Sequence, residues 1–187
     1  MATMQSIEIE PFTHDAGTAL EAHLQRHRLE SGNSDIHFMP FAPGSSHGPR
    51  GINLESALLP LDTPGWQRWF CAREIGSGNI VGHVNLKSDS LETGLHRCEL
   101  GIGIERAFRG QGLGKRLMNH AIAFARNSEH LTWIELKVFA HNSAARALYR
   151  QLGFEEVGMV PDRFRILGES IDDAIMILNV ATPEAHR

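Results

Sequence analysis

The sequence predicts a mixed α/β (α+β) fold, in which one mixed sheet carries helices on its faces. The length of 187 residues is close to that of one ordinary domain. Hydrophobic residues make up 42% and charged residues 21% of the chain, which is ordinary globular usage. Strand-like and helix-like periods follow in the order β-α-(loop)-β-β-β-α-β-α-β-β, which predicts a mixed sheet with helices on both faces. We therefore expect residues 1–187 to form a single domain.

Composition and charge narrow the functional classes. The 18 basic and 22 acidic residues give a formal net charge of −4. This balance does not predict nucleic-acid binding and mildly favours cationic substrates. Two cysteines, Cys71 and Cys98, are too few for a disulfide framework or a zinc cluster, which is typical of a reducing compartment. Met1–Glu10 lacks a secretory signal and no apolar run reaches ~18 residues, so we expect a cytoplasmic protein without membrane contacts.

The first third of the chain predicts a strand, a helix and a long irregular segment. Ile7–Glu10 alternates apolar and charged residues, as a half-buried strand does. Thr13 is a candidate N-cap for a helix that runs to about Leu29. Residues 31–65 hold five of the eight prolines and five of the 18 glycines and show no steady period. Because long irregular segments are often functional, we expect this one to form part of a substrate wall.

Three strands are predicted next. Trp69–Glu74 and Ile80–Lys87 flank a glycine turn at Gly76–Asn79 and predict a hairpin. The third strand covers Cys98–Ile104, and its side chains alternate between two faces. One face carries Cys98, Leu100, Ile102 and Ile104, and the other carries Glu99, Gly101 and Gly103.

Two helices and three strands complete the prediction. A helix with an apolar stripe extends from Leu113 to about Asn127, and Trp133–Val138 is a strand. The next helix is capped by Asn142 or Ser143 and ends near Leu152, before Gly153. The last strands begin at Phe154 and span Ile171–Val180, with a loop around Gly168 and a frayed end at Pro183–Arg187.

Three glycines lie between the third strand and the following helix, at Gly110, Gly112 and Gly114. Glycines let backbone amides approach a ligand, and the first amides of a helix favour an anion. The loop is therefore a candidate cradle for a pyrophosphate. It is not a triphosphate-binding loop, since Arg109 stands where the first glycine is needed and Arg116 replaces the serine or threonine. It also fails the dinucleotide fingerprint at its third glycine.

Two motifs resemble those of the GCN5-related N-acetyltransferase superfamily. Residues 109–114 match its acetyl-CoA signature [RQ]-x-x-G-x-[GA], and residues 142–154 match its second motif, N-x-x-A-x-x-L-Y-x-x-x-G-F. The strand at 99–104 stands where the family's fourth strand does, so the acetyl-CoA-binding core is expected at 98–154. The segment 168–176 resembles the branches that acetylate ribosomal proteins and spermidine. The resemblance implies a mostly antiparallel central sheet and a homodimer.

The resemblance also implies where acetyl-CoA binds. The amides of residues 110–115 are expected to hold the pyrophosphate, with added charge from Arg109 and Lys115. The exposed edge at 102–104 is expected to pair with the pantetheine arm. Gly101 and Gly103 then leave room for that arm, or alternatively mark a bulge or a close helix crossing. The complete predicted set is Ile102, Gly103, Ile104, Arg109, Gly110, Gln111, Gly112, Leu113, Gly114, Lys115, Asn142 and Tyr149.

Tyr149 is the candidate general acid. It is the only tyrosine of the chain and matches the position that carries this role in the family. A phenol with a pKa of about 10 stays protonated at neutral pH and could protonate the leaving thiolate of CoA. Asn142 precedes it by seven residues, within ~20° on the same helix face, and is also a candidate helix cap.

The general base has three candidates. Glu99 shares its strand face with Gly101 and Gly103 and is the first choice; otherwise it is an exposed strand carboxylate. Glu135 is the second choice, although some relatives carry their glutamate at the position of Lys137. A chain of water molecules is the third possibility.

The other polar candidates have simpler interpretations. His23 and His27 have i,i+4 spacing but no third ligand at a recognisable spacing, so we expect a solvated helix face and no metal site. Of Asp172 and Asp173, one faces each side of the last strand, and either could bind a cationic amine or cap the loop.

Together these features predict an N-acetyltransferase. It would move an acetyl group from acetyl-CoA to a primary amine of a small molecule or a protein N-terminus, by direct attack in a ternary complex. The oxyanion would meet a backbone amide near Ile104. The alternative is a non-catalytic domain that senses acyl-CoA. A nucleotide-binding module is disfavoured because the nucleotide fingerprints fail.

Overall fold

A computed structural model describes residues 6–33, 36–43, 45, 53 and 55–181. Their core is one seven-stranded sheet in the order β1-β2-β3-β4-β5-β7-β6. The strands are β1 Ile7–Pro11, β2 Gln67–Glu74, β3 Ile80–Ser88, β4 Arg97–Ile104, β5 Trp133–Phe139, β6 Glu155–Ile166 and β7 Glu169–Asn179. The helices are α1 Gly17–Glu30, α2 Leu113–Arg126 and α3 Ser143–Gln151. Every neighbouring pair of strands is antiparallel except β4 and β5, so the predicted fold class is confirmed.

Helix α2 covers the apolar face of the sheet. Its predicted stripe buries Leu113, Leu117 and Ala121, whereas Phe124 is half-buried. Gly82 of β3 lies under this helix, where an added Cβ would approach Leu117 to 3.2 Å. Removing apolar side chains from water on this face is the main stabilising contribution to the sheet.

Helix α1 lies over the opposite face, where Leu20 packs with Cys71 and Ile80. It begins later than the Thr13 cap predicts. A short 3-10 turn at His14–Ala16 comes first, and the Thr13 side chain caps no backbone amide. The helix ends at Glu30, one residue past the predicted end.

Strands β4 and β5 form a fork. They pair in parallel over three positions only, which end at Glu99 opposite Glu135, and β5 then continues alongside β7. The amide of Glu105 donates to Val81 on the β3 side. Because hydrogen-bonding direction alternates along an antiparallel strand, the backbone groups of Ile102 and Ile104 face the fork. The predicted exposed edge of β4 is therefore present.

The irregular segment predicted at 31–65 is only partly described. Residues 34, 35, 44, 46–52 and 54 lie outside the described residues. The rest includes one short 3-10 turn at Glu55–Ala57, and the Ser31 hydroxyl accepts the amides of Phe38 and Met39. The predicted frayed end at 183–187 also lies outside. Within the described ranges, no helix combines the length and hydropathy needed to cross a bilayer.

Candidate active site

The glycine loop before α2 has the backbone conformation of an open cradle. Gly110 and Gly112 have φ angles of +73° and +78°, and a Cβ at either position would meet no atom of the described residues within 4 Å. The first backbone bond of the helix runs from the Arg116 amide to the Gly112 carbonyl. Among the described residues, none accepts a hydrogen bond from the amides of residues 110–115. These amides, at the positive end of the helix dipole, are available to an anion.

Arg109 ties the loop to the rest of the fold. Its Nε donates to the Ile104 carbonyl at 2.8 Å, and its guanidinium donates to Glu30 at 2.8 Å and lies over the Phe38 ring. These contacts fix the end of β4 against α1. A role of Arg109 toward the pyrophosphate therefore stays a prediction. So does that of Lys115, whose side chain is exposed.

Other loop residues have structural partners that are compatible with a cradle. Gln111 donates from its side chain to the Ala107 carbonyl at 3.1 Å. Gly114 lies where a Cβ would be 3.1 Å from Leu148 of α3 and 3.4 Å from Ile104 of β4. The start of α2, the end of β4 and Leu148 in the second half of α3 are thus packed together.

Tyr149 is buried within α3. It is 7% exposed, and its ring lies 6.0 Å from that of Phe154. Burial raises the pKa of Tyr149 to about 12, since the phenolate loses its hydration. Asn142 caps α3, because its Oδ1 accepts the amide of Ala145 at 3.2 Å. Gly153 has the positive φ expected of the residue that ends this helix.

Glu99 stands at the mouth of the fork between two lysines. Lys137 of β5 donates to its Oε2 at 2.9 Å, and Lys87 lies 3.5 Å from its Oε1. Burial acts to raise the pKa of Glu99, but the hydrogen bond from Lys137 and the charge of Lys87 outweigh it and lower the pKa. The same contact raises the pKa of Lys137. Glu135, the second candidate, lies 3.5 Å from Arg97.

An open cavity of about 420 Å³ adjoins this cluster. Its lining includes the acidic Asp89, Glu99 and Glu135 and the basic Lys87 and Arg97. Opposite charges therefore line the cavity side by side, although the net charge of the chain is negative.

The expectation of a solvated face at His23 and His27 is wrong. His23 is fully buried and His27 is 4% exposed, because α1 crosses closely over Gly103 of β4. A Cβ on Gly103 would lie 2.6 Å from His27 and 2.5 Å from His83 of β3. The imidazoles of His27 and His83 thus occupy the space above Gly103 that was expected to hold the pantetheine arm. Gly103 instead permits the close crossing of α1, which was the alternative interpretation.

His83 is a further polar residue of this face, and no sequence pattern singles it out. It belongs to a hydrogen-bonded chain in which His23 Nδ1 lies 2.8 Å from Glu105 Oε1 and His23 Nε2 lies 2.9 Å from His83 Nδ1. In the register of β3 and β4, His83 faces Gly103, and this long-range pairing carries no signal in the local sequence. No group of side chains in the described ranges has the arrangement of a metal site.

The two aspartates of β7 divide as expected. Asp172 is exposed and caps a turn by accepting the Asp162 amide at 2.8 Å. Asp173 is buried on the same sheet face as Lys137, and its burial raises its pKa.

Comparison with known proteins identifies the family. The model of the acetyltransferase (GNAT) family matches residues 38–154, which is well over half of the chain. The chain belongs to this family. It is therefore an N-acetyltransferase by family, and the family uses acetyl-CoA as acetyl donor. The predictions of family, enzyme class and donor are confirmed at this level.

Individual relatives agree with the family assignment. The chain is 31% identical to N-alpha-acetyltransferase RimI of Mycobacterium tuberculosis, over 64% of this chain and 79% of that protein. A GNAT acetyltransferase structure from Streptococcus pneumoniae has a TM-score of 0.76 and 26% identity, over 93% of this chain and 99% of that one. The structure of yncA from Salmonella typhimurium, solved with acetyl-CoA, has a TM-score of 0.73, covering 96% of this chain and 99% of that one. At 18% identity it supports the fold alone.

Proposed function

We propose that this chain transfers the acetyl group of acetyl-CoA to an α-amino group, by direct attack in a ternary complex. One observation carries the proposal: the open edge of β4 leads into a loop whose amides, at 110–115, have no partner among the described residues. A pantetheine arm can pair with the edge while a pyrophosphate binds at the start of α2. The likeness to an N-alpha-acetyltransferase supports the α-amino group as acceptor.

The reaction needs no acyl-enzyme. The neutral amine attacks the thioester carbonyl, the C–N bond forms, and the C–S bond breaks to release the thiolate of CoA. In this reaction a backbone amide at the β4 edge near Ile104 donates a hydrogen bond to the oxyanion. Arg109 supports that position by holding the Ile104 carbonyl.

Tyr149 supplies the proton for the leaving thiolate. Its burial keeps the hydroxyl protonated throughout the neutral range, since its pKa is raised to about 12. Asn142 starts the same helix and orients it as its N-cap.

Glu99 contacts the acceptor amine in this proposal. The two lysines keep its carboxylate ionised, which suits it to attract and orient an ammonium group better than to remove a proton. Glu135 is held by Arg97 in a similar way.

A panel of amines tests the function. Purified protein would be mixed with acetyl-CoA and an alanine-initiated peptide, free L-amino acids or spermidine, and CoA thiol release would be followed. We expect the highest kcat/KM with an α-amine, and an N-terminally acetylated peptide is the matched control. Preference for spermidine would overturn the acceptor class, and thiol release that no amine accelerates would overturn the proposal.

A further inference from the structure

We propose that His83 is the group that takes the proton from the acceptor amine, and that His23 and Glu105 hold it in the form that can do so. This inference rests on the proposed function and names a residue of the same site. Three features support it: the direction of the hydrogen bonds, the position of the ring over β4, and the ion pairs that hold Glu99 and Glu135.

The hydrogen bonds fix the tautomers. The Glu105 carboxylate can only accept, so His23 must carry its hydrogen on Nδ1. Neutral His23 then has a lone pair on Nε2 and accepts a hydrogen bond from His83 Nδ1. His83 is left with a lone pair on Nε2, to which no described residue donates a hydrogen bond. Glu105 contacts His23 and not His83, so its carboxylate acts on the charge that forms when His83 is protonated through the intervening imidazole.

The ring of His83 lies over Gly103 of β4, beside the ring of His27. Its Cε1, which is bonded to Nε2, lies 2.5 Å from where a Gly103 side chain would begin. Asn85 leans over Gly101 in the same way, with its Oδ1 2.6 Å from that Cβ position. Because Gly101 and Gly103 have no side chains, polar groups of β3 can lie directly above β4.

The surroundings keep His83 neutral before the reaction. Burial and the neighbouring imidazoles of His23 and His27 lower the pKa of His83 well below its usual value. Cys71 faces it from β2, with a thiol whose pKa is raised by burial. Arg26 and Glu30 act on His23 from α1.

The two glutamates beside the fork are held in ion pairs. Glu99 is held by two lysines and Glu135 by Arg97. In the proposed step the amine nitrogen bonds to the acetyl carbon while its proton moves to His83 Nε2. The thiolate takes the proton of Tyr149, and both groups afterwards exchange protons with water.

The test is the pH dependence of kcat/KM with acetyl-CoA and the most active amine of the panel. We expect His83→Gln to lower kcat at least ~100-fold without weakening the binding of acetyl-CoA. Glu105→Gln should lower kcat about 10-fold and move the acidic limb to lower pH, because the hydrogen-bonded pair of His83 and His23 loses the negative charge that stabilises its protonated form. The exposed His130 provides the matched control, and His130→Gln should leave rate and profile unchanged.

The outcomes separate this inference from the proposed function. A wild-type protein without turnover contradicts the function itself. A wild-type protein that turns over, with His83→Gln equal to it in rate and pH profile, overturns the role of His83 alone. Circular dichroism shows whether each variant folds. If His83→Gln does not fold, Glu105→Gln decides, since its site is partly exposed and an unmoved acidic limb would overturn the relay.

Discussion

Tyr149 combines a ring that packs in the core with a hydroxyl group that the packing does not require. Its ring is packed against Phe154, a role that phenylalanine would fill equally well. Its hydroxyl makes no hydrogen bond to the described part of the chain, and burial raises its pKa to about 12. The hydroxyl is not needed for this packing, so it is available for contact with a ligand. Tyr149 is therefore the side chain that we most expect to contact CoA.

Tyr149→Phe should lower kcat about 100-fold while leaving the affinity for acetyl-CoA almost unchanged. The ring keeps its packing and only the proton donor is lost. Steady-state assays of CoA thiol release give kcat, and calorimetric titration gives the affinity for acetyl-CoA. An unchanged kcat would exclude Tyr149 as the acid.

The cradle is a property of an element, the start of α2, and depends on the left-handed conformation of its glycines. The amides can point outward together only because Gly110 and Gly112 adopt positive φ angles. No atom of the described residues lies within 4 Å of where their Cβ atoms would be. A side chain at either position would therefore strain the backbone and collide with an incoming ligand.

Gly112→Ala should lose ~1–2 kcal/mol of unfolding free energy through this strain and also weaken acetyl-CoA binding. Gly78 is the matched control, since its φ of +73° and its open surroundings are similar but it lies in the β2–β3 turn. Gly78→Ala should show the same loss in urea unfolding with unchanged affinity. Equal affinities in both variants would contradict a cradle at α2.

The elements that were predicted correctly from the sequence are those that depend on local sequence patterns. The hairpin, β4, the glycine loop and the capped helix α3 each follow from periodicity or from a short motif. Helix α1 is different, because its histidines look solvent-facing by sequence. Their burial depends on Gly103, about 75 residues further along the chain, and on the register of β3. Such contacts leave no local signal, so His83 could not be found from sequence alone.

The whole molecule divides its sheet between an apolar and a polar face. Helix α2 covers the apolar face. The polar face carries the hydrogen-bonded histidines under α1 and the cavity lined by opposite charges beside the fork. Net charge is a sum over the molecule, so it could not predict the alternating charges of this cavity. The homodimer stays a prediction that sedimentation equilibrium would check, with twice the chain mass of 20.8 kDa expected.

Ligand-dependent thermal unfolding tests the central claim most directly. Unfolding temperatures would be compared with acetyl-CoA, CoA, ATP and NAD at matched concentrations well above typical affinities. The account predicts a rise with acetyl-CoA and CoA and none with NAD or ATP, because the loop fits neither nucleotide fingerprint. No shift with either CoA species would contradict the cradle, and with it the proposed reaction.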